Sequence, residues 1–468
     1  MKTLFPSIKL DKRTIGVLLS VLAALLTMTA PLPGDISLQA RKTLAVTLVT
    51  VCWWVFEVMS PAYTTLMMLL AYILFGLASP EAVFKIWTLP LMWMIISAFL
   101  IAAAVTRSGL AERVSYFFII RLAGSYRSII ILTYVLGFLL SFLIPHPFPR
   151  SLLLMSLVRV ICQKASVNKL DSISMGLSVF IASTAASTIL LTGDSTLNLA
   201  AVGFSGQSVN WLDWAKYMAV PGLVTSLLMM SLHLVVFPQS GPVNIDYKTL
   251  LDAQAKLGPI SRQELVTLAW VLAALVLWST DFLHHIDPAW IALGVVVGLS
   301  LPWIGEVLEA RDISTAVNWP VIFFVMGALA IGTVGKSSGM SEWLADTLLP
   351  AQPPANPYGF AALIGGVTIL VHMLLGSALS TMSIIAPPMV HYAASSGWSP
   401  LVPALLVYTA ASTHFILPFQ HVSILIGQGE TGGYSSRHVL RYGIPLTLVT
   451  LFVMIVVEVS WWRFLGLL

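Results

Sequence analysis

The 468 residues alternate between long apolar runs and short polar interruptions. An apolar run of roughly 20 residues spans a bilayer as a helix. Such runs lie near 14–31, 43–59, 62–79, 87–106, 173–204, 215–237, 263–281, 288–304, 318–336, 400–428 and 440–465, which predicts eleven crossings. Two further apolar stretches, 128–164 and 358–396, are each broken by a polar or proline-rich tip and are expected to be re-entrant hairpins. Non-helical backbone at membrane depth survives only where protein or water surrounds it, so both tips should line a cavity.

The pattern is stated twice. TAAST occurs at Thr184–Thr188 and again at Thr409–Thr413. Trp54 with Glu57 is echoed by Trp278 with Asp281, Trp87 by Trp319, and Ser108–Gly109 by Ser338–Gly339, with every spacing between 224 and 232 residues. Four collinear echoes predict an N-terminal helix in 1–42, a first repeat over 43–237, a polar linker over 238–262 and a second repeat over 263–468. Hairpin 128–164 and a broken helix 173–204 belong to the first repeat, hairpin 358–396 and a broken helix 400–428 to the second. Five crossings per repeat is an odd number, so the second copy should enter the membrane from the opposite face. The expected fold is an all-α polytopic membrane protein: two inverted five-helix halves, two re-entrant hairpins and two discontinuous helices. Repeats built around broken helices are the signature of secondary transporters, with the solute site at the repeat interface.

Composition agrees with a chain solvated by lipid. Hydrophobic residues make up 58% and charged residues 9%, at a mean hydropathy of +0.91. An ordinary soluble domain carries about 25% charged residues. The net charge of +4 says little about partners, and nothing suggests nucleic acid. With the N-terminus and its Lys2, Lys9, Lys12 and Arg13 in the cytoplasm, crossing counts put 18 of the 24 basic residues on that side, Arg150 among them. This positive-inside bias predicts a cytoplasmic linker and an external C-terminus, in a bacterial inner membrane. The arm over 107–127, with Arg107, Arg113, Arg121 and Arg127, should lie in the cytoplasmic interface. Cys52 and Cys162 read as buried small hydrophobes; two cysteines supply neither a disulfide framework nor a metal site. No Walker A sequence is present, which argues against ATP-driven pumping.

The polar chemistry sits at four interruptions. Thr192-Gly193-Asp194-Ser195-Thr196 breaks the first discontinuous helix, and Pro418 breaks the second within Phe415–Ser423. Unwound carbonyls can ligate a cation, and half-helix N-termini can face an anion. The hairpin tips are read as Pro145–Pro149, an unwound turn holding His146 at depth, and Ser377–Thr381, which offers hydroxyls and amides. The expected solute-binding residues are therefore His146, Pro147, Ser195, Thr196, Ser377, Ala378, Ser380, Thr381, Gln420 and His421. Those expected around a coupling cation are Thr192, Gly193, Asp194, Asn198, Pro418 and Ser423. Ionisable groups at membrane depth are costly and functional by default. Asp194 could bind sodium, carry a proton or pair with His421. His372 and His414 read as packing or helix–helix hydrogen bonds.

These residues resemble the divalent anion/sodium symporter family, within the broader ion-transporter superfamily. Trp53-Trp54-Val55-Phe56-Glu57 followed by Pro61 and Thr64 looks like that family's WWxTE…P…T opening. Phe415–Pro418 with Gly427-Gln428-Gly429 is similar to its FMLP…GSG stretch, and Asn198 falls where its first broken helix ends in PPN. The resemblance covers nearly the whole chain and implies an elevator-type homodimer that moves a dicarboxylate with sodium. The chain departs from the family at both Ser-Asn-Thr tips, where it carries Pro145-His146-Pro147 and Ser377-Ala378-Leu379. His146 and Asp194 then point to a different cation, a proton, or a different anion.

The resulting expectation is a secondary transporter of a small anion (dicarboxylate, tricarboxylate, sulfate or organic sulfonate), coupled to sodium or protons, with uncoupled anion exchange as the alternative. No cofactor is implied beyond a possible sodium ion. An intramembrane enzyme is disfavoured because HExxH, GxSxG and paired acidic motifs are missing, a receptor or scaffold does not explain two unwound helices, and a channel built on the same fold is told from a coupled carrier by solute accumulation against a gradient. Single cysteines placed in 205–214 should react with impermeant reagent from outside, and those in 238–262 from inside; both loops reacting from one side would overturn the topology.

Overall fold

The computed structural model describes residues 11–122, 124–164, 167–243, 247–394, 397–429 and 431–468. Lys2 and Lys9, two of the charges assigned to the cytoplasm, lie outside the described residues. Among the described residues no strand forms, and the one extended pairing is an isolated bridge between Gln428 and Tyr434. The protein is all-helical and integral to the membrane. Seven described helices are long and apolar enough to cross a bilayer, and four shorter apolar helices join them.

Helix α1 (Lys12–Thr29) packs on α2 (Leu38–Val55), which leads to α3 (Pro61–Leu74), α4 (Pro90–Ser108) and the short α5 (Leu110–Leu122). The first hairpin is α6 (Tyr126–Ser141) and α7 (Pro147–Lys164), and the first broken helix is α8 (Lys169–Ala186) and α9 (Leu197–Ser205). Helix α10 (Trp211–Val236) ends this stretch. The second stretch repeats the order: α11 (Arg262–Ser279), α12 (Pro288–Ser300), α13 (Trp319–Ser338) and α14 (Met340–Leu348). Then come the hairpin α15 (Pro357–Leu375) and α16 (Ala378–Ala394), the broken helix α17 (Leu401–Thr413) and α18 (Val422–Gly427), and α19 (Ser436–Phe464). Each of the eleven apolar runs read from the sequence is helical.

Local bonds recur at the echoed positions. The Trp54 indole donates to the Pro61 carbonyl at 3.3 Å, and the Trp278 indole to Pro288 at 3.1 Å. Gly109 and Gly339 end α4 and α13 with φ of 83° and 80°, a left-handed conformation that glycine adopts without a steric penalty. Each is followed directly by its short arm. The arm expected over 107–127 is thus α5, and Arg107 belongs to the end of α4.

The first hairpin corrects the expectation in two respects. The turn is Phe142–His146, and Pro147 and Pro149 lie in the first turn of α7. There proline is tolerated, because its missing N–H has no intrahelical partner to lose. Arg150 is consequently not at the cytoplasmic surface but at the tip, fully buried. The first break is also longer than read, running over 187–196 with a tight turn at Leu191–Asp194. In the second half, residues 414–421 separate α17 from α18, and Pro418 opens a short turn to Gln420.

The linker carries a helix of its own, Tyr247–Lys256. Its downstream end is held by α5: Arg113 contacts Glu264 at 2.5 Å and donates to the carbonyls of Gly258 and Pro259 at 3.0 and 3.2 Å.

The two stretches touch through glycines. A Cβ at Gly176 on α8 would run into the carbonyl oxygen of Gly432 in the loop after α18. Backbone cannot move aside cheaply, so Gly176→Ala is expected to cost about 1–3 kcal/mol. Gly294 on α12 meets nothing within 4 Å, and alanine there should be neutral or stabilising by up to about 1 kcal/mol. Thermal unfolding of the two variants in detergent checks the contrast.

Candidate functional site

Backbone groups freed where a helix unwinds must find partners, because lipid offers none. At the first break two side chains meet this demand. The Asn198 amide donates to the carbonyls of Ser187 and Leu190 at 2.8 Å and to Leu191 at 3.2 Å, and its oxygen accepts from the Tyr408 hydroxyl on α17 at 2.7 Å. Arg150 reaches across from the hairpin. Its guanidinium donates to Ile144 O at 3.1 Å, Gly193 O at 3.3 Å, Ser183 O at 2.7 Å and Ser187 Oγ at 2.6 Å.

The tip and break are also joined by Ser195, whose N–H and hydroxyl both donate to the Pro145 carbonyl, at 3.1 and 2.8 Å. Asp194 Oδ1 accepts the N–H groups of Thr196 and Leu197 at 2.9 and 3.1 Å, capping α9. Thr192 accepts from the Trp211 indole at 3.3 Å. His146 sits half-buried, its Nδ1 accepting from Phe148 N–H at 3.2 Å and its ring 5.4 Å from that of Phe99. Pro147 is buried beside it. On the far side of this tip, Phe142, Pro145 and Thr192 share a narrow cavity with Ile101, Trp278 and Val295.

The second break is organised differently. Gln420 Oε1 accepts from Ile416 and Leu417 at 2.6 and 2.8 Å, and its amide nitrogen lies 3.4 Å from the His372 carbonyl on α15. Gly376, at φ 64°, turns the hairpin and lets Phe419 pack against the tip. Ser377 precedes α16; its hydroxyl accepts from Ser380 N–H at 3.3 Å, and its carbonyl accepts from both the N–H and the hydroxyl of Thr381 at 2.9 Å. Ala378 opens α16, Pro418 is buried in the turn, and Ser423 lies in the first turn of α18.

The structure thus brings hairpin 1 to break 1, and hairpin 2 to break 2. Asn198 and Tyr408 tie the two broken helices together, and Asp194 is within electrostatic reach of Arg150, His146, Tyr408 and His421. Three of the expected solute ligands keep a buried polar atom with no hydrogen-bond partner in the protein: Thr196 Oγ1, Ser380 Oγ and His421 Nε2. Such an atom costs about 1–3 kcal/mol if nothing meets it. By contrast, Thr192, Gly193, Asp194 and Asn198, expected around a cation, each already hold a partner within the protein. Several carbonyls of break 1, those of Ser187, Leu190, Leu191 and Gly193, are engaged by Arg150 and Asn198. Among the described residues, no group of three or more His, Cys, Asp or Glu is arranged to hold a metal ion.

Sequence reasoning missed Arg150, although it stands between two apolar segments, because counting charges by side assigned it to the cytoplasm. It also missed Glu458, the single acid of the last apolar run. Glu458 is fully buried in a π-helical segment of α19, with one carboxyl oxygen accepting from Thr409 at 2.6 Å and the other without a partner.

Removing the Arg150 guanidinium strands several buried acceptors, each worth about 1–3 kcal/mol. Arg150→Ala is therefore expected to lower the apparent melting temperature in detergent more than Ser156→Ala, whose hydroxyl is exposed and bonds only locally to Leu153. Equal melting temperatures would contradict the role given to Arg150.

The family model for the sodium:sulfate symporter transmembrane region matches residues 11–468. A membrane protein of Cupriavidus necator is 23% identical over 481 residues, covering 96% of this chain and 93% of its own. The chloroplastic dicarboxylate transporter 1 of Arabidopsis thaliana is 24% identical, covering 96% and 83%. The sodium-dependent dicarboxylate transporter SdcS of Staphylococcus saprophyticus is 23% identical, covering 95% and 90%. The Arabidopsis and Staphylococcus relatives are transporters by name, and the family model is that of a symporter, so the intramembrane-enzyme reading falls away. With its two hairpins, two broken helices and a match along its described length, the chain belongs to the sodium:sulfate symporter family, the divalent anion/sodium symporters, as a member that lacks both Ser-Asn-Thr tips.

Proposed function

We propose that this protein is a secondary active transporter of a small dianion, a dicarboxylate first and sulfate or a tricarboxylate next. It works by elevator-type alternating access as a homodimer in a bacterial inner membrane, with the N-terminus cytoplasmic and the C-terminus external. The observation that carries the reading is the set of unmet buried groups Thr196 Oγ1, Ser380 Oγ and His421 Nε2, all at helix breaks or a hairpin tip. Buried polar groups in native proteins are nearly always satisfied, so these three are open to a ligand's oxygens. Hydroxyls and an imidazole N–H suit carboxylate or sulfate oxygens, and α9 and α16, which start beside Thr196 and Ser380, pack together. The dicarboxylate relatives support the same class of solute. The narrow apolar gap between tip 1 and helices α4, α11 and α12 suits a surface on which a mobile half slides against a fixed one.

Coupling to a cation is the first reading. A second, anion-for-anion exchange, is favoured by Arg150, because a fixed guanidinium already engages carbonyls otherwise open to sodium at break 1.

Purified protein in liposomes should take up radiolabelled malate or sulfate when the interior is loaded with the same anion or when a cation gradient is imposed. Ser380→Ala and Thr196→Ala, which remove only unpartnered hydroxyls, should each weaken malate binding about ten- to a hundredfold, the loss of roughly one hydrogen bond to a charged group. Uptake of neither anion under any condition, with protein correctly folded, would sink the reading; flux that only dissipates a gradient would make the protein a channel.

A further inference from the structure

Three histidines crowd the second break. His372 lies on α15, His414 follows α17 and His421 precedes α18, all buried. The His372 ring is 6.1 Å from that of His414 and 5.9 Å from that of His421. His414 Nε2 meets the Thr447 hydroxyl at 2.9 Å. Four other ring nitrogens lack a well-aligned hydrogen-bond partner, namely both of His372, Nδ1 of His414 and Nε2 of His421, although the backbone of Gln420 lies against the His372 ring and that of Ala411 and His414 against the His421 ring.

A neutral imidazole always carries one N–H and one lone pair. A buried ring whose nitrogens lack well-aligned partners, such as His372, is expensive as a packing residue, since an unmet group costs about 1–3 kcal/mol. Packing alone, the role read from sequence, does not account for it. The ring arrangement does not hold a metal ion. A proton taken up on a ring-nitrogen lone pair leaves an imidazolium with two N–H donors, and the oxygens of a dianion beside the ring can accept them.

We infer that His372, His414 and His421 form a proton-binding site in the second half of the fold, loading together with the dianion and coupling its movement to protons. This rests on the reading of the protein as an anion carrier. In the loading step a ring-nitrogen lone pair takes a proton from water in the open site, turning one imidazole into imidazolium. The proton returns to water on the opposite side when the anion leaves. No other bond is made or broken.

Charge supplies the coupling. An isolated imidazolium in a dry interior is strongly disfavoured, and a dianion there is disfavoured too. Each offsets the other's burial, so each raises the other's affinity by the same factor. The titratable and charged groups around the rings are few. Asp194 of break 1 acts on His421, and the three rings act on one another. Tyr442 of α19 stacks on Phe415, which contacts His421. Glu458, also on α19, is engaged with Thr409 of α17, more than a turn before His414. Arg150 and His146 face Asp194 from hairpin 1. One proton can therefore be shared among three sites, with Asp194 the nearby carboxyl group.

The test uses the full chain in liposomes, radiolabelled malate, and membrane potential clamped with potassium and valinomycin. An acid-outside gradient should drive malate accumulation, by up to about tenfold for each pH unit and coupled proton. For His372→Gln, uptake with the gradient should equal uptake without it, a ratio taken within one preparation and so independent of yield. Detergent-solubilised wild type in weak buffer near pH 7 should take up about one proton per malate bound, read with an indicator dye. This second measurement stands if the variant does not fold. Malate exchange that ignores the pH gradient, binding without proton uptake, or a gradient response lost in Glu458→Gln but kept in His372→Gln would overturn the inference and leave the carrier reading intact. Failure to move malate or sulfate at all would remove both.

Discussion

The interaction on which the site depends is the Arg150 guanidinium laid over the unwound backbone of break 1. A helix opened at membrane depth exposes carbonyls that lipid cannot hydrate, and an arginine supplies five donors in a rigid fork. Carbonyls from the tip, from the end of α8 and from Gly193 are collected by one side chain carried on the hairpin. Hairpin and break are thereby one body. Desolvating the guanidinium is costly, and Asp194 nearby offsets part of it.

The same fold is built twice, yet the two breaks are satisfied by different chemistry. Break 1 uses a permanent positive charge and an asparagine that knots three carbonyls. Break 2 uses a neutral glutamine on backbone N–H groups and is surrounded by rings whose charge can change. The asymmetry is itself informative. The first half sets a fixed cation among Asp194 and His146, whereas the second gathers three rings with no fixed charge among them.

Much of the architecture was legible in the apolar runs, since about twenty apolar residues have few options other than a spanning helix. The echoes of Trp54, Ser108 and TAAST located equivalent elements because tryptophan-to-carbonyl bonds and glycine helix ends are local events. The errors were local as well. Three prolines in Pro145–Pro149 looked like a turn, but two of them start a helix, a distinction that depends on which N–H groups have partners. Arg150 was misplaced because charge counting assumes that arginine seeks water, and four buried acceptors reversed that preference. Asp194 was recognised as buried, while its capping of α9 needed the three-dimensional path of the break. His372 could not be distinguished from a packing residue in sequence, because an unmet ring nitrogen is defined only by what surrounds it.

The clamp of Arg113 on Glu264 and on the carbonyls of Leu257, Gly258 and Pro259 also bears on how the chain is strung together. It fixes where α11 begins by side-chain contacts with α5, independently of the peptide path through residues 238–256. The covalent connection between the halves thus keeps them at high local concentration but does not dictate their register. Register is written in the arginine and the carboxylate, so insertions upstream of Leu257 can lengthen the connection without displacing the helices it joins.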